Sequence, residues 1–327
     1  MKKIFFISFF ALVAASLQSQ NYKTENPFAH TFSIVARDVV TGEMAVAVQS
    51  HWFSVGTSVC WGKSGVGVVA TQSFINPAFG PDGLSLMESG ISAEKALIKL
   101  IDSDAGKDFR QLALLDVNGS VNAFTGKNCV QSAYQIVGDN FSVQANMMLN
   151  DQVVPAMAKA FEENKHLPLA ERVVETLLAA QKAGGDIRGK QSAAIIVVGS
   201  EKVPLWQDKK VDLRVDDSSD PLPELKRLLS VHRAYEHMNR GDLAVERNNM
   251  PLALQEYAAA EAMQKENLEM KYWTAVTMAN NNMLEKALPI FKFVFQKDSN
   301  WLEMTKRLPA TGLLTVSKND LQRILNQ

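Results

Sequence analysis

The side chains best able to do chemistry fall into four short clusters. The densest runs from Gly184 to Ser192 (GGDIRGKQS), immediately ahead of an apolar segment. Paired glycines let the main chain approach a ligand closely. Asp186 and Arg188 can pair with each other, or the arginine fork can take a substrate carboxylate. Gln191 and Ser192 then project to opposite faces at the start of a strand. In the second cluster, Gln72, Ser73 and Asn76 sit where a strand runs into FINPAFGP. The Asn-Pro and Gly-Pro steps make that loop rigid, and amides on a rigid loop suit an oxyanion. Gln144 and Asn146 alternate with Val143 and Ala145. Both amides therefore leave one face of a strand and require partners or a ligand there. His51 ends another strand, where an imidazole can orient substrate or move a proton. Three of the clusters also have a plainer reading: a structural ion pair for Asp186 and Arg188, turn chemistry around Asn76, and a surface histidine at His51.

These residues need a scaffold, and the apolar periodicity supplies one. Thr31 to Asp38 and Glu43 to Ser50 alternate around a Thr41-Gly42 turn and read as a hairpin. A third strand runs from Gly65 to Ser73. Two helices follow: one from near Pro81 to Ser89-Gly90, and one capped by Ser92 with Ala96, Leu97, Leu100 and Ile101 at helical spacing. Gln111–Val117 and Val121–Thr125 form a second hairpin around Asn118-Gly119, a dipeptide that can supply two positive φ angles. A strand over 141–149, helices over 153–163 and 169–183, a doubly buried strand over 193–198 and a short strand over 211–215 complete the series. Strands and helices come in blocks, which favours antiparallel sheets. Two sheets face to face with a helix pair outside each would bury every apolar face. The expected class is α+β, a four-layer αββα sandwich followed by a small all-α helical-repeat region.

Lys2 and Lys3 precede an apolar run from Ile4 to Leu17, and small and polar residues follow. This is the pattern of a secretory signal peptide over residues 1–20, shorter than the ~20 residues of a comfortable membrane span. An uncleaved anchor is the alternative. The expected location is exported, periplasmic or extracellular, with no membrane span in the mature chain. Export would permit a disulfide between Cys60 and Cys129, and two separate buried thiols fit equally well. Neither cysteine has a neighbour at zinc-ligand spacing, and no metal or organic cofactor is expected. The 34 basic and 35 acidic residues nearly cancel, so nucleic acid is a poor partner.

From about residue 230 the chain is almost entirely helix-forming. Asn248, Ala253, Leu254 and Tyr257 recur as Asn282, Ala287, Leu288 and Phe291, a spacing of 34 residues. That is the tetratricopeptide period. The expected organisation is a main domain over 31–229 and a tetratricopeptide-like tail over 230–327. Two units bury little surface alone, so the tail is expected to stack on the main domain or on a protein partner.

Residues 31–235 resemble a bacterial family catalogued as domain of unknown function 1028. The resemblance is carried by TFSIVARD at 31–38, GEMAVAVQS at 42–50 and GVGVVATQSFINPAFGPDGL at 65–84. It continues through FTGKNC at 124–129, SVQANMM at 142–148, GGDIRGKQSAA at 184–194 and VDLRVDD at 211–217. The resemblance implies the N-terminal-nucleophile hydrolase fold. That superfamily uses a Thr, Ser or Cys at the first residue of the mature chain, with its own α-amine as base. By position the nucleophile is Thr31. Here Thr31 follows His30, so a free amine requires a cut between them.

Three functional readings follow. In the first, an exported hydrolase cleaves a small amide or peptide-like bond. Thr31 attacks, Gln144 or Asn146 stabilises the oxyanion, and His51, Gln72, Asn76, Asp186, Arg188, Gln191 and Ser192 bind substrate. In the second, the same cleft binds a ligand without turnover. In the third, the helical tail is the working part of a scaffold. Folds of this kind also support homodimers, although no residue here fixes a dimer surface.

Overall fold

A computed structural model describes residues 28–29 and 31–327. The apolar leader and the segment up to Pro27 lie outside the described residues. The strands in chain order are β1 (Phe28–Ala29), β2 (Thr31–Arg37), β3 (Met44–Ser50), β4 (Cys60–Lys63), β5 (Gly67–Phe74), β6 (Arg110–Asp116), β7 (Val121–Thr125), β8 (Tyr134–Gly138), β9 (Phe141–Ala145), β10 (Ser192–Val198) and β11 (Lys209–Val215). Six of them form a sheet of order β11-β10-β3-β2-β9-β8. In the other sheet β5 pairs with β6, which pairs with β7, while β1 and β4 share the remaining edge of β5. Every strand pairing in both sheets is antiparallel.

Period-two patterning decides how the sheets are covered. Phe32, Ile34 and Ala36 point outward from β2, as do Ala45 and Ala47 from β3. They pack under α4 (Val153–Glu163), α5 (Leu169–Lys182) and the first turns of α6 (Pro221–Glu246), through Met157, Phe161, Val173, Leu177 and Leu225. The opposite row, Val35, Val46, Val48 and Ile196, meets Val68, Ala70, Ala113 and Leu115 of the second sheet. That sheet turns Val69, Leu112 and Leu114 outward onto α2 (Phe79–Glu88) and α3 (Ala93–Ser103). Each fully buried Leu or Phe contributes about 1.5–3 kcal/mol, so these three interfaces dominate over any single capping bond at about 1 kcal/mol.

Local details depart from the sequence expectations. Ser92 occupies the N-cap of α3 but makes no side-chain capping bond. Asp116 replaces it, accepting from the Ala93 N–H at 2.9 Å. The same carboxylate accepts from the Asn118 and Ser120 N–H groups, at 2.9 and 3.1 Å. With the turn held this way only Gly119 needs positive φ (+89°), not the pair Asn118-Gly119. Phe79, Gly80 and Pro81 belong to the first turn of α2 rather than to the preceding loop. The short strands β4 and β8, and the single helical turn α1 (Gly56–Val59), carry too few alternating residues to stand out in the sequence.

The chain ends in a helical region: α7 (Met250–Met263), α8 (Leu268–Asn280), α9 (Leu284–Lys297), α10 (Asn300–Thr311) and α11 (Lys318–Leu325). The first turns of α6 insert Leu222, Leu225 and Leu229 into the main core. Its later turns place Ala234, Met238 and Ala244 against Ala253, Tyr257 and Ala260 of α7. The internal repeat is structural. Asn248 and Asn282 both have left-handed backbones, φ +54° and +61°. The turn bonds recur in register: Asn249 N–H to Ala244 O, then Met283 N–H to Met278 O. Ala253 and Ala287 are fully buried at the helix crossings, beside Tyr257 and Phe291.

Candidate functional site

Antiparallel pairing brings alternate strand ends to one edge of the molecule. Ser192, Ser50 and Thr31 stand in register across β10, β3 and β2, and Phe32 pairs with Ala145 at the end of β9. In the second sheet Ser73 pairs with Arg110, and Gln72 with Gln111. The rows between the sheets change character toward this edge. Along β6 the inward residues run Leu115, Ala113, Gln111, and along β5 they run Val68, Ala70, Gln72. Along β2 they run Val35, Ser33, Thr31. The space between the sheets is apolar at the far end and amide-lined at this one.

The amides form a closed network without a charged member. Ser33 Oγ donates to Gln72 Oε1 at 2.6 Å, and Gln144 Nε2 donates to Ser33 Oγ at 2.7 Å. Gln111 Oε1 accepts from Gln72 Nε2 at 2.7 Å and from Asn146 Nδ2 at 2.9 Å. Gln111 Nε2 donates to Thr125 Oγ1 and to Ala145 O, at 2.7 and 2.8 Å. Gln72, Gln111, Gln144 and Asn146 are all fully buried. A buried amide is tolerated only when its donors and acceptors are met, and a satisfied network fixes side-chain positions.

Thr31 sits at the mouth of this network. Its carbonyl accepts from the Asn146 N–H at 3.1 Å, and it is fully buried. Its hydroxyl has no hydrogen-bond partner among the described residues, and the buried Ser73 hydroxyl lies beside the Cys129 thiol. Ser73 has φ +72°, a left-handed backbone that a non-glycine residue rarely adopts. The mouth is flanked by two loops that both bond Met147. The Met147 N–H donates to Val130 O, and Met147 O accepts from the Ile187 N–H. A depression of about 670 Å3, lined by Thr125, Cys129, Tyr134, Gln135 and Asp151 among others, meets the network at Thr125, which accepts from Gln111.

The model of a family described only as of unknown function, DUF1028, matches residues 31–225. The chain belongs to this family. The crystal structure of a Silicibacter pomeroyi protein placed in DUF1028 is similar, with 30% sequence identity and a TM-score of 0.55 over 61% of this chain and 88% of that one. No curated protein matches the chain. The amide network and both flanking loops lie within the DUF1028 segment, and α7 to α11 lie beyond it.

Within the DUF1028 segment the candidate residues separate into two groups. Thr31, Gln72, Gln144 and Asn146 converge between the sheets. Asp186, Arg188 and His51 gather at the rim: Arg188 grips Asp186 through Nη2 at 2.7 Å and Nε at 3.0 Å. The buried Asp186 carboxylate also accepts from the His51 N–H at 3.1 Å, leaving the His51 side chain exposed. Asn76, Gln191 and Ser192 are engaged elsewhere. Asn76 Oδ1 accepts from the Ala78 N–H in a local turn ahead of α2. Gln191 Nε2 donates to Asp217 at 3.2 Å, away from the inter-sheet space. Ser192 Oγ bonds Trp52 O and the Val55 N–H, which holds the loop after β3. Sequence reasoning missed Ser33, Gln111 and Thr125. The available signal was parity: Gln111 shares the inward row of Ala113 and Leu115.

Both cysteines are free thiols, Cys60 buried and Cys129 half-buried. Burial pushes the Cys129 thiol above its usual range, with Ser73 beside it pulling the other way. At neutral pH Cys129 is a thiol and a poor nucleophile. Cys60 is pushed up further by complete burial.

Proposed function

We propose that this chain is an exported hydrolase of a small amide or peptide-like bond, built as the αββα sandwich of the N-terminal-nucleophile class, with Thr31 as nucleophile after a cut before it. The observation that carries the reading is the Thr31 hydroxyl. It is fully buried and, among the described residues, unpartnered at the amide-lined end of the inter-sheet space. A buried hydroxyl without a partner costs about 1–3 kcal/mol, a cost that a nucleophile recovers when substrate arrives. In the reaction, Oγ bonds the acyl carbon as its proton passes to the Thr31 amine. The carbon–nitrogen bond breaks and the leaving amine takes that proton. Water then hydrolyses the ester, releasing the acid and restoring the hydroxyl.

Asn146, held beside Thr31 by the bond from its main-chain N–H to Thr31 O, supplies the oxyanion donor from its side-chain amide. Gln144, with Nε2 on Ser33 and Oε1 on Ser142, holds the floor of the site. Arg188, fixed by Asp186 and a quarter exposed, suits a substrate carboxylate. The tail fits a tetratricopeptide-like pair that docks a protein partner. The second reading, a ligand-binding module on the same cleft, is favoured by one fact: Thr31 follows His30 in the encoded chain and so carries an amide, not an amine.

The test is N-terminal sequencing of exported protein combined with an amide-hydrolysis screen of a chain starting at Thr31. A mature start at Thr31, turnover, and its loss in a folded Thr31→Ala variant are expected. An intact start near residue 20 together with an inert Thr31-start chain would overturn the hydrolase in favour of the binding module.

A further inference from the structure

Away from the inter-sheet site, α6 and α8 leave a groove between them. A cavity of about 240 Å3 is lined by Tyr235, Met238, Asn239 and Asp242 of α6, and by Glu269, Met270, Trp273 and Thr277 of α8. The spacing of three and four residues places each set on one helix face. The volume lies below the ~300–1,000 Å3 of sites that hold a whole drug-sized ligand, so one side chain or a small ion is the right scale.

Two carboxylates and two aromatic rings meet there. Asp242 Oδ1 accepts from the Tyr257 hydroxyl at 2.7 Å, and Glu269 Oε2 accepts from the Tyr235 hydroxyl at 2.6 Å. These bonds orient both carboxylates but neutralise neither. Asp242 and Glu269 form no ion pair among the described residues. The cations of the adjoining turns are already engaged: Arg233 with Glu171 and Glu236, Arg240 with Glu256, and Lys271 with Glu261. Trp273 is braced edge-on against Tyr272, with ring centroids 5.3 Å apart. The hydrogen bond to Glu269, with partial burial, raises the Tyr235 hydroxyl above its usual range. Aromatic faces attract cations, and the Trp273 ring also offers apolar surface to a methylene stem.

We propose that this groove binds an organic cation on an apolar stem, such as the side chain of an arginine or lysine in an extended segment of a partner. The carboxylates take the charge, and the Tyr235 and Trp273 rings take its flat face and its stem. Nothing in this assignment depends on hydrolysis at Thr31.

The test is calorimetric titration of the full chain with an N-acetylated Ala-Arg-Ala amide, its citrulline counterpart, and agmatine. The arginine peptide should bind, and citrulline, matched in shape but uncharged, should bind at least about tenfold more weakly. An Asp242→Asn/Glu269→Gln variant should lose affinity by a similar factor, and added salt should weaken the wild-type complex. Glu269→Gln alone, at a half-exposed position, should move the same way with an unchanged circular-dichroism spectrum. Agmatine binding as tightly as the peptide would support the site as one for a free small cation, and weaker binding would support a peptide segment. Equal affinity for citrulline and arginine, unchanged affinity in the folded variants, or no binding of any probe would overturn the proposal.

Discussion

Replacing Gln111 by methionine tests whether the amide network is a structural element or a by-product of burial. Methionine keeps the length and volume of glutamine and removes its polar atoms. Two buried donors lose their short acceptor: Gln72 Nε2 at 2.7 Å and Asn146 Nδ2 at 2.9 Å. Gln72 Nε2 retains only long contacts to Thr31 O and Gln144 O, at 3.4 and 3.5 Å. A buried donor that loses its short acceptor costs about 1–3 kcal/mol, so two cost about 2–6 kcal/mol, and the gain from burying an apolar side chain offsets about 1 kcal/mol. The expected net loss is about 3 kcal/mol, a large part of the ~5–15 kcal/mol typical of a domain. In urea unfolding the main-domain midpoint should fall by about 1 M or more, at unchanged slope. Leu115→Val, on the same strand and inward row, is the control for lost packing and should cost about 1 kcal/mol. A Gln111→Met variant no less stable than Leu115→Val would refute the reasoning.

Asp116 gathers three backbone N–H groups from the β6–β7 turn and the start of α3, so Asp116→Ala should cost about 3 kcal/mol and lower Tm by roughly 6–12 °C. Thermal melts would show it, and a smaller loss in Asp116→Asn, which keeps one acceptor oxygen, would tie the cost to the hydrogen bonds. Glu236 lies 3.7 Å from His232 and 2.8 Å from Arg233, which also grips Glu171 of α5. Those neighbours pull its carboxyl down to about 2 against the cost of partial burial. A lowered folded-state value means stability that is complete above the unfolded value near 4.5 and is lost as pH falls from there toward 2. Glu236→Gln should therefore flatten the stability profile between about pH 5 and 3, by about 1 kcal/mol after solvent screening. An unaltered slope in that window would contradict it.

What was legible in the sequence follows from what is local. The parity of Gln144 and Asn146 is a property of one strand, and it placed both amides on the inward face. The pairing of Asp186 with Arg188 is local as well, and so is the 34-residue repeat with its recurrent asparagine turns. What stayed hidden depends on topology. Gln111 is one polar residue at the head of an apolar strand. Its partners Gln72, Thr125 and Asn146 come from three other strands, brought together by register within one sheet and by contact between the two. The N-cap at Ser92 misled for the same reason. A distant carboxylate on β6 was better placed than the local hydroxyl, and no pattern around residue 92 records it.

This distinction bears on where function can arise in the fold. A single sheet can place amides in a row but cannot close them into a network. Closure needs a second sheet whose inward rows turn polar at the same end. Here β2, β5 and β6 make that change within two residues of one another's ends, although they belong to different sheets. Joint apolar replacement of the whole set would give a continuous core of equal or higher stability, whereas removing one member strands its partners. The polar end is thus held against the stability of the fold. Thr31, Ser73 and the two loops around Met147 converge on that end, which is the physical ground for the proposal that puts a reaction there.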